Sequence, residues 1–173
     1  MEFIEHAVAW CRGEIFEGRM LALFGASVVA LALAFWKLGS TPSARAMFLP
    51  LLCVGLVALA VGISMNFSNQ ARIPAYRAAY AEDATGFVES ELQRTEAFIR
   101  WYPYTMYTFS LVILVGCAIF LWKPTPLGRA IGLATIIMGL SVLFLDHFSE
   151  ERAERYHSKI LEEVQQKGAA PSR

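Results

Sequence analysis

The sequence predicts an all-α integral membrane protein, an up-down-up-down four-helix bundle of long antiparallel helices. Hydrophobic residues make up 56% of the 173 residues and charged residues 17%, whereas about a quarter of a soluble domain is charged. Four uncharged stretches are Met20–Trp36, Ala46–Ala71, Trp101–Trp122 and Ala130–Leu145. Each is long enough, or nearly so, to cross a bilayer core of about 30 Å at about 1.5 Å per helical residue.

The predicted helices extend beyond the lipid. Apolar residues continue at helical spacing outside the uncharged stretches, as in Tyr156, Ile160 and Val164, which is typical of helices that pack on one another in water. We therefore predict one bundle over residues 1–166, half in the bilayer and half protruding into water. The spans are about 19–37, 45–66, 102–122 and 129–146, the extramembrane bundle is 1–18, 67–101 and 147–166, and 167–173 form a flexible tail.

A short pattern occurs twice. Trp36-Lys37, Thr41-Pro42 and Arg45 in the first copy correspond to Trp122-Lys123, Thr125-Pro126 and Arg129 in the second. Tryptophan and lysine are typical of a membrane interface, and Thr-Pro is typical of a helix start. The pattern predicts two helical hairpins related as parallel repeats. The alternative is that interfaces and helix caps select these residue types independently.

Charge is distributed unequally between the two sides. The two tight loops carry four bases and no acid, and the remaining segments carry all 15 acids and the other 11 bases. Local charge favours cytoplasmic loops, whereas a plain count of Lys and Arg favours the opposite orientation. We predict a multi-pass protein of the bacterial inner (plasma) membrane, with termini and helical bundle extracytoplasmic. The balanced charge gives no indication of a nucleic-acid partner.

Small residues mark a candidate contact face. They are Ala22, Ala26, Ala30 and Ala34 on the first span, with Gly128 and Gly132 at the start of the fourth. Small side chains let helix backbones approach closely in lipid, so we predict helix packing inside the bundle. A homodimer seam is the alternative use of such a face.

Charged residues in the extramembrane bundle suggest two kinds of site. Glu91 and Arg94 lie one turn apart, and we predict that Arg77 and Glu154 join them in a buried ion-pair layer. The alternative is a transition-metal site formed by His6, Glu91, Glu154 and His157, because Glu-x-x-His spacing puts two ligands on one helical face. A ferritin-type di-iron site requires a second Glu-x-x-His, which the sequence lacks.

Motifs of common enzymes are missing from the sequence. It contains no glycine-rich phosphate loop, Gly-x-Ser-x-Gly or His-Glu-x-x-His, so we expect no catalysis and no cofactor. In size and span number the chain resembles the small immunity proteins that protect bacteria from pore-forming toxins, a resemblance of architecture alone. We predict that the protruding bundle binds a protein partner or ligand, as an immunity, accessory or sensor subunit does. The alternative is a metal-binding, redox-active membrane protein.

Overall fold

Helices account for nearly all of the computed structural model, which describes residues 3–168. They are α1 (Phe3–Leu38), α2 (Pro42–Ala46), α3 (Phe48–Glu82), α4 (Ala84–Ile99), α5 (Tyr102–Trp122) and α6 (Pro126–Gly168). Four helical stretches are long and apolar enough to cross a membrane: Phe3–Leu38, Pro42–Glu82, Ala84–Trp122 and Pro126–Gln165. The predicted all-α class with four candidate spans is confirmed. The predicted tail begins inside α6, and its residues 169–173 lie outside the described residues.

Two of the four predicted helices are interrupted. The second begins as the short helix α2, and the third is divided between α4 and α5. Each break lies just before a proline, Pro50 or Pro103. Proline has no amide hydrogen to donate to the carbonyl four residues earlier, and its ring crowds the preceding turn. One helix therefore ends shortly before each of these prolines, and the next helix begins within a few residues.

Side-chain caps mark the starts of α2, α4 and α6. The Asp83 carboxylate accepts hydrogen bonds from the amides of Thr85 and Gly86, at 3.0 and 2.9 Å, and begins α4. In the tight loops, the Thr41 hydroxyl oxygen accepts from the Ala44 amide and that of Thr125 accepts from the Gly128 amide. Each cap satisfies an amide that the first turn of a helix leaves without a partner.

The bundle has two separate apolar cores. One lies within the spans and contains Val28, Ala32, Leu51, Val54 and Ala134. The other lies in the extramembrane part and contains Phe3, Ile4, Ala7, Val8, Trp10, Cys11, Phe87, Val88, Tyr156 and Ile160. The second core buries the apolar stripes that continue past the uncharged stretches, so the helices also pack on one another there.

Glycines bring α1 and α3 into backbone contact. A Cβ added at Gly25 would lie 2.4 Å from the Leu59 nitrogen and 2.7 Å from the Gly55 oxygen. One added at Gly62 would lie 2.5 Å from both the Ala22 nitrogen and the Gly18 oxygen. No side chain fits at these positions, so glycine is what permits the close approach.

The predicted alanine face is wrong for two of its four members. Ala26 and Ala30 are exposed, and Ala22 and Ala34 are half-buried. Four residues advance a helix by about 40° beyond a full turn, so a four-residue repeat rotates away from the neighbouring helix. Five of the buried residues of α1 recur every seven positions along its whole length: Ile4, Cys11, Gly18, Gly25 and Ala32. That spacing drifts by only about 20° per repeat.

The two predicted glycine contacts have different outcomes. Gly132 is buried against α5, where an added Cβ would lie 2.7 Å from the Gly116 oxygen. Gly128 instead approaches its own loop, with Lys123 Cβ 2.5 Å from the added Cβ position. Gly128 therefore packs within its own loop and not against another helix. The exposed Ala26 and Ala30 are available to contact lipid or a second chain.

Replacing Gly25 by alanine should destabilise the protein, because the added methyl group forces the backbones of α1 and α3 apart. We expect Gly25→Ala to lower the free energy of unfolding by about 1 to 3 kcal/mol. The matched control is Ala26→Leu, a larger change at the next residue that should cost less than about 0.5 kcal/mol. Reversible unfolding in mixed micelles, followed by circular dichroism, measures both. Equal losses would show that the glycine contact does not stabilise the hairpin.

Candidate functional site

The upper charged layer of the extramembrane bundle is centred on Glu91, which is 4% exposed. Its carboxylate accepts two hydrogen bonds from the Arg94 guanidinium, 2.8 Å from Nε to Oε1 and 2.7 Å from Nη2 to Oε2. The Tyr156 hydroxyl on α6 donates a third, at 2.9 Å to Oε2. Charge-assisted bidentate pairs are among the stronger hydrogen bonds in proteins. Glu91 therefore links α4 to α6.

Arg94 also extends the upper layer to α1. Its guanidinium carbon lies 4.4 Å from the centre of the Trp10 ring, which is a cation–π contact. Trp10 stacks in turn on Tyr156, with ring centres 5.9 Å apart. Three helices consequently meet around one ion pair.

The tyrosines of the upper layer remain neutral donors. The pKa of Tyr76 is raised to about 12, mainly by burial, with Arg94 lowering it and Glu91 raising it. Burial also raises the pKa of Tyr156, and the carboxylate of Glu91 adds to that increase. An anionic phenolate beside a buried carboxylate would be unfavourable. The hydrogen bond from Tyr156 to Glu91 is therefore present throughout the physiological pH range.

The lower charged layer lies closer to the spans and joins α1 to α6. Arg152 donates to Glu14 at 2.9 Å and to Glu17 at 2.5 Å. Both carboxylates are buried, at 7% and 6% exposure. An added Cβ at Gly13 would lie 2.8 Å from Arg152 Cδ and Nε, so a larger residue at that point of α1 would require the arginine side chain to shift.

The lower layer continues to α5 through two hydroxyl groups. Tyr102 donates to Ser149 at 3.0 Å, and Ser149 donates to Glu14 at 3.4 Å. Three buried atoms of the layer have no hydrogen-bond partner: Glu17 Oε2, Asp146 Oδ2 and Arg152 Nε. Counted by formal charge, the carboxylates of Glu14 and Glu17 share the single guanidinium of Arg152, and Asp146 is close enough to act electrostatically on Glu17. The layer therefore carries an excess of negative charge.

The predicted ion-pair layer has a different membership. The structure brings Glu91 and Arg94 together, but Arg77 donates to Glu5 at 3.1 Å in an exposed pair, and Glu154 is exposed. The prediction is wrong for Arg77 and Glu154. Successive helical residues are rotated by about 100°, so Glu154, two positions before Tyr156, points away from the core.

The signal for Tyr156 was present in the sequence. A tyrosine within a buried apolar stripe requires a partner for its hydroxyl group, and a carboxylate on a neighbouring helix is an obvious candidate. Arg152 with Glu14 and Glu17 had no comparable signal. Acids and bases are frequent on both helices, and periodicity alone does not select one pair.

The four candidate metal ligands do not converge. Glu91 is occupied by Arg94 and Tyr156, as described above. His6 lines a cleft of about 270 Å³ together with three bases, Arg152, Arg155 and Lys159. Glu154 and His157 line a separate cleft of about 570 Å³. Within residues 3–168, no group of three His, Cys, Asp or Glu side chains is arranged to hold a metal ion.

The cleft that contains His157 lies between α4 and α6 on the outside of the bundle. Glu96 and Arg100 line its α4 side, and Glu154, His157 and Ser158 line its α6 side. The Nδ1 atom of His157 is buried and has no hydrogen-bond partner. The cleft is thus lined by both signs of charge, and we refer to it as the α4–α6 cleft.

Comparison with protein-family models, with curated proteins and with solved structures finds no match for this chain.

Replacing Glu91 by alanine should destabilise the aqueous half, because Arg94 and Tyr156 both lose their partner. We expect a loss of about 3 kcal/mol, the low end of the range for breaking a buried pair, since the Arg94 side chain keeps 31% exposure. Unfolding in mixed micelles measures the loss.

The matched control for Glu91→Ala is Glu151→Ala, which removes an acid from the exposed pair with Arg155. An exposed pair contributes about 0 to 1 kcal/mol. The double variant Glu91→Ala with Arg94→Ala should recover part of the loss, because no orphan charge remains. Equal effects of the two single acid replacements would show that the upper layer does not hold the helices together.

Proposed function

We propose that the chain is a non-catalytic membrane protein whose extramembrane bundle binds a protein partner, as an immunity, accessory or sensor subunit does. The observation that carries the proposal is that the bundle outside the spans has its own apolar core and two buried charged layers. These hold a defined surface in water above the membrane. The α4–α6 cleft, open and lined by both signs of charge, is the part of that surface best suited to recognise a partner.

The buried layers support a binding function better than the metal-binding alternative. Glu91, which that alternative requires as a ligand, already accepts three hydrogen bonds. Removing it from Arg94 would leave a partly buried guanidinium without its partner, at a cost of several kcal/mol. We therefore retain partner binding as the proposed function.

We also propose that the helices form an up-down-up-down antiparallel bundle built from two related hairpins. Contacts within each pair support opposite directions, because Gly18 approaches Gly62 while Gly25 approaches Gly55. The repeat is supported by equivalent contacts. An added Cβ at Gly55 would meet Val29 and the Gly25 oxygen, and one at Gly139 would meet Ile113 and the Phe109 oxygen.

The residues in contact at Gly139 correspond to those in contact at Gly55 with a constant displacement of 84 positions. The pairs are Gly55 with Gly139, Val29 with Ile113, and Gly25 with Phe109. The Trp-Lys pairs are 86 positions apart, so they are displaced by two residues from the 84-residue spacing of these contacts. Shared contacts, and the shared threonine caps, support a parallel repeat with its axis along the membrane normal.

We propose the bacterial inner membrane as the location, with the bundle and both termini on the extracytoplasmic side. The support is the charge of the tight loops, which carry Lys37, Arg45, Lys123 and Arg129 without any acid. Positive loops tend to remain in the cytoplasm. A partner would then be met outside the cytoplasm.

Photo-crosslinking in intact cells tests partner binding. A benzoylphenylalanine at Ser158, in the α4–α6 cleft, should form one discrete protein adduct. The same residue at Glu82, exposed at the far end of α3, is the matched control and should not form it. Adding Glu154→Arg, which reverses a charge of the cleft, should reduce the Ser158 adduct at least about tenfold without changing the unfolding midpoint, as expected for loss of a charged contact. Equal adducts at Ser158 and Glu82, or an adduct unaffected by Glu154→Arg, would contradict the proposal.

A further inference from the structure

A lateral groove opens between the two helix pairs where the spans meet the extramembrane bundle. α1 packs along α3 and α6 packs along α5, whereas contact between α1 and α6 is much sparser. The groove has a volume of about 590 Å³. Its walls include Phe16, Met20 and Phe24 on α1 and Leu140, Phe144 and Phe148 on α6. Glycine contacts draw the helices together within each pair, and large side chains line the gap that remains between α1 and α6 at this level.

The walls of this groove face the bilayer. Met20, Phe24, Leu140 and Phe144 belong to the uncharged stretches of two candidate spans. Phe144 is 69% exposed. An open apolar groove at this depth is filled by hydrocarbon, because water there would have no polar partner. The available hydrocarbon is the acyl chain of a lipid in the same leaflet.

The aqueous end of the groove is polar. Glu17 and Arg152 line it there, next to Phe16 and Phe148. One Glu17 oxygen accepts from Arg152, and the other, Oε2, is buried without a partner. Glu17 itself is 6% exposed. A buried carboxylate oxygen without a donor is costly, and the surrounding excess of carboxylates favours a donor that carries positive charge.

We propose that the groove binds one phospholipid with a primary ammonium head group, phosphatidylethanolamine, beyond the partner-binding role of the bundle. One acyl chain lies between α1 and α6. The ammonium group donates to Glu17 Oε2, and the lipid phosphate lies near the Arg152 guanidinium. Each charged group of the lipid thus faces a side chain of opposite charge, the ammonium group facing Glu17 and the phosphate facing Arg152. A choline head group has no N–H to donate, and a glycerol head group adds no positive charge.

Native mass spectrometry of the purified full chain in detergent tests the proposal. The probes are phosphatidylethanolamine, phosphatidylcholine and phosphatidylglycerol with identical acyl chains. We expect one phosphatidylethanolamine per chain, with a dissociation constant about tenfold below those of the other two lipids. Equal dissociation constants for the three lipids would overturn the proposal, since only annular contact would then remain.

Two variants separate the head-group contact from the groove. Glu17→Gln removes the negative charge and should bring the dissociation constants for the ethanolamine and choline lipids to within about twofold of each other. Ser141→Phe fills the groove, which Ser141 lines, and should weaken binding of the ethanolamine lipid at least about tenfold. Leu114→Phe, at a residue of α5 that is 65% exposed and outside the groove, is the matched control and should leave binding unchanged.

Ser141→Phe retains Glu17, so it tests whether the groove binds the ethanolamine lipid even if Glu17→Gln does not fold. Unchanged binding of the ethanolamine lipid by Ser141→Phe, or an unchanged lipid preference in a folded Glu17→Gln, would overturn the proposal. Neither result bears on crosslinking at Ser158, which lies in another cleft, so failure of lipid binding and failure of partner binding are distinguishable.

Discussion

The hydrogen bonds that Glu91 accepts from Arg94 and Tyr156 determine how the helices meet above the membrane. A buried carboxylate must be paired, and here the pairing groups come from α4 and α6, with Trp10 of α1 against the same guanidinium. Such a network admits few alternative helix rotations, because each rotation leaves a buried charge unpaired. The extramembrane core and the outer clefts take their shape from this constraint.

Close backbone contact has the corresponding role inside the bilayer. In lipid, apolar side chains gain nothing by meeting each other rather than lipid tails, so glycine contacts such as Gly25 with Gly55 provide the attraction. The two mechanisms meet at the lower layer, where Gly13 makes room for Arg152. The same region contains the groove between the helix pairs, because contact between α1 and α6 is much sparser than contact within each pair.

The sequence was sufficient for the class of fold and insufficient for its contacts. Uncharged stretches correctly predicted four helices long and apolar enough to cross a membrane, because the cost of a charge in hydrocarbon leaves a strong signal. The alanine repeat wrongly predicted helix contacts at Ala26 and Ala30, because residues spaced by four rotate away from a neighbouring helix. Residues spaced by seven, such as Gly18 and Gly25, stay on nearly the same side of the helix. Glu91 with Arg94 was predictable from spacing on one helix. Arg152 with Glu14 and Glu17 was not, because their pairing depends on the relative height and rotation of two helices that are far apart in sequence.

Hydrogen exchange of the wild-type protein in detergent tests most directly whether the extramembrane bundle is one cooperative unit held by its charged layers. We expect amides of α4 between residues 87 and 95 to exchange as slowly as those of α6 between residues 150 and 160, with a common free energy of opening. Rapid exchange throughout α4 while α6 stays protected would contradict it, because Glu91 would then not join the two helices.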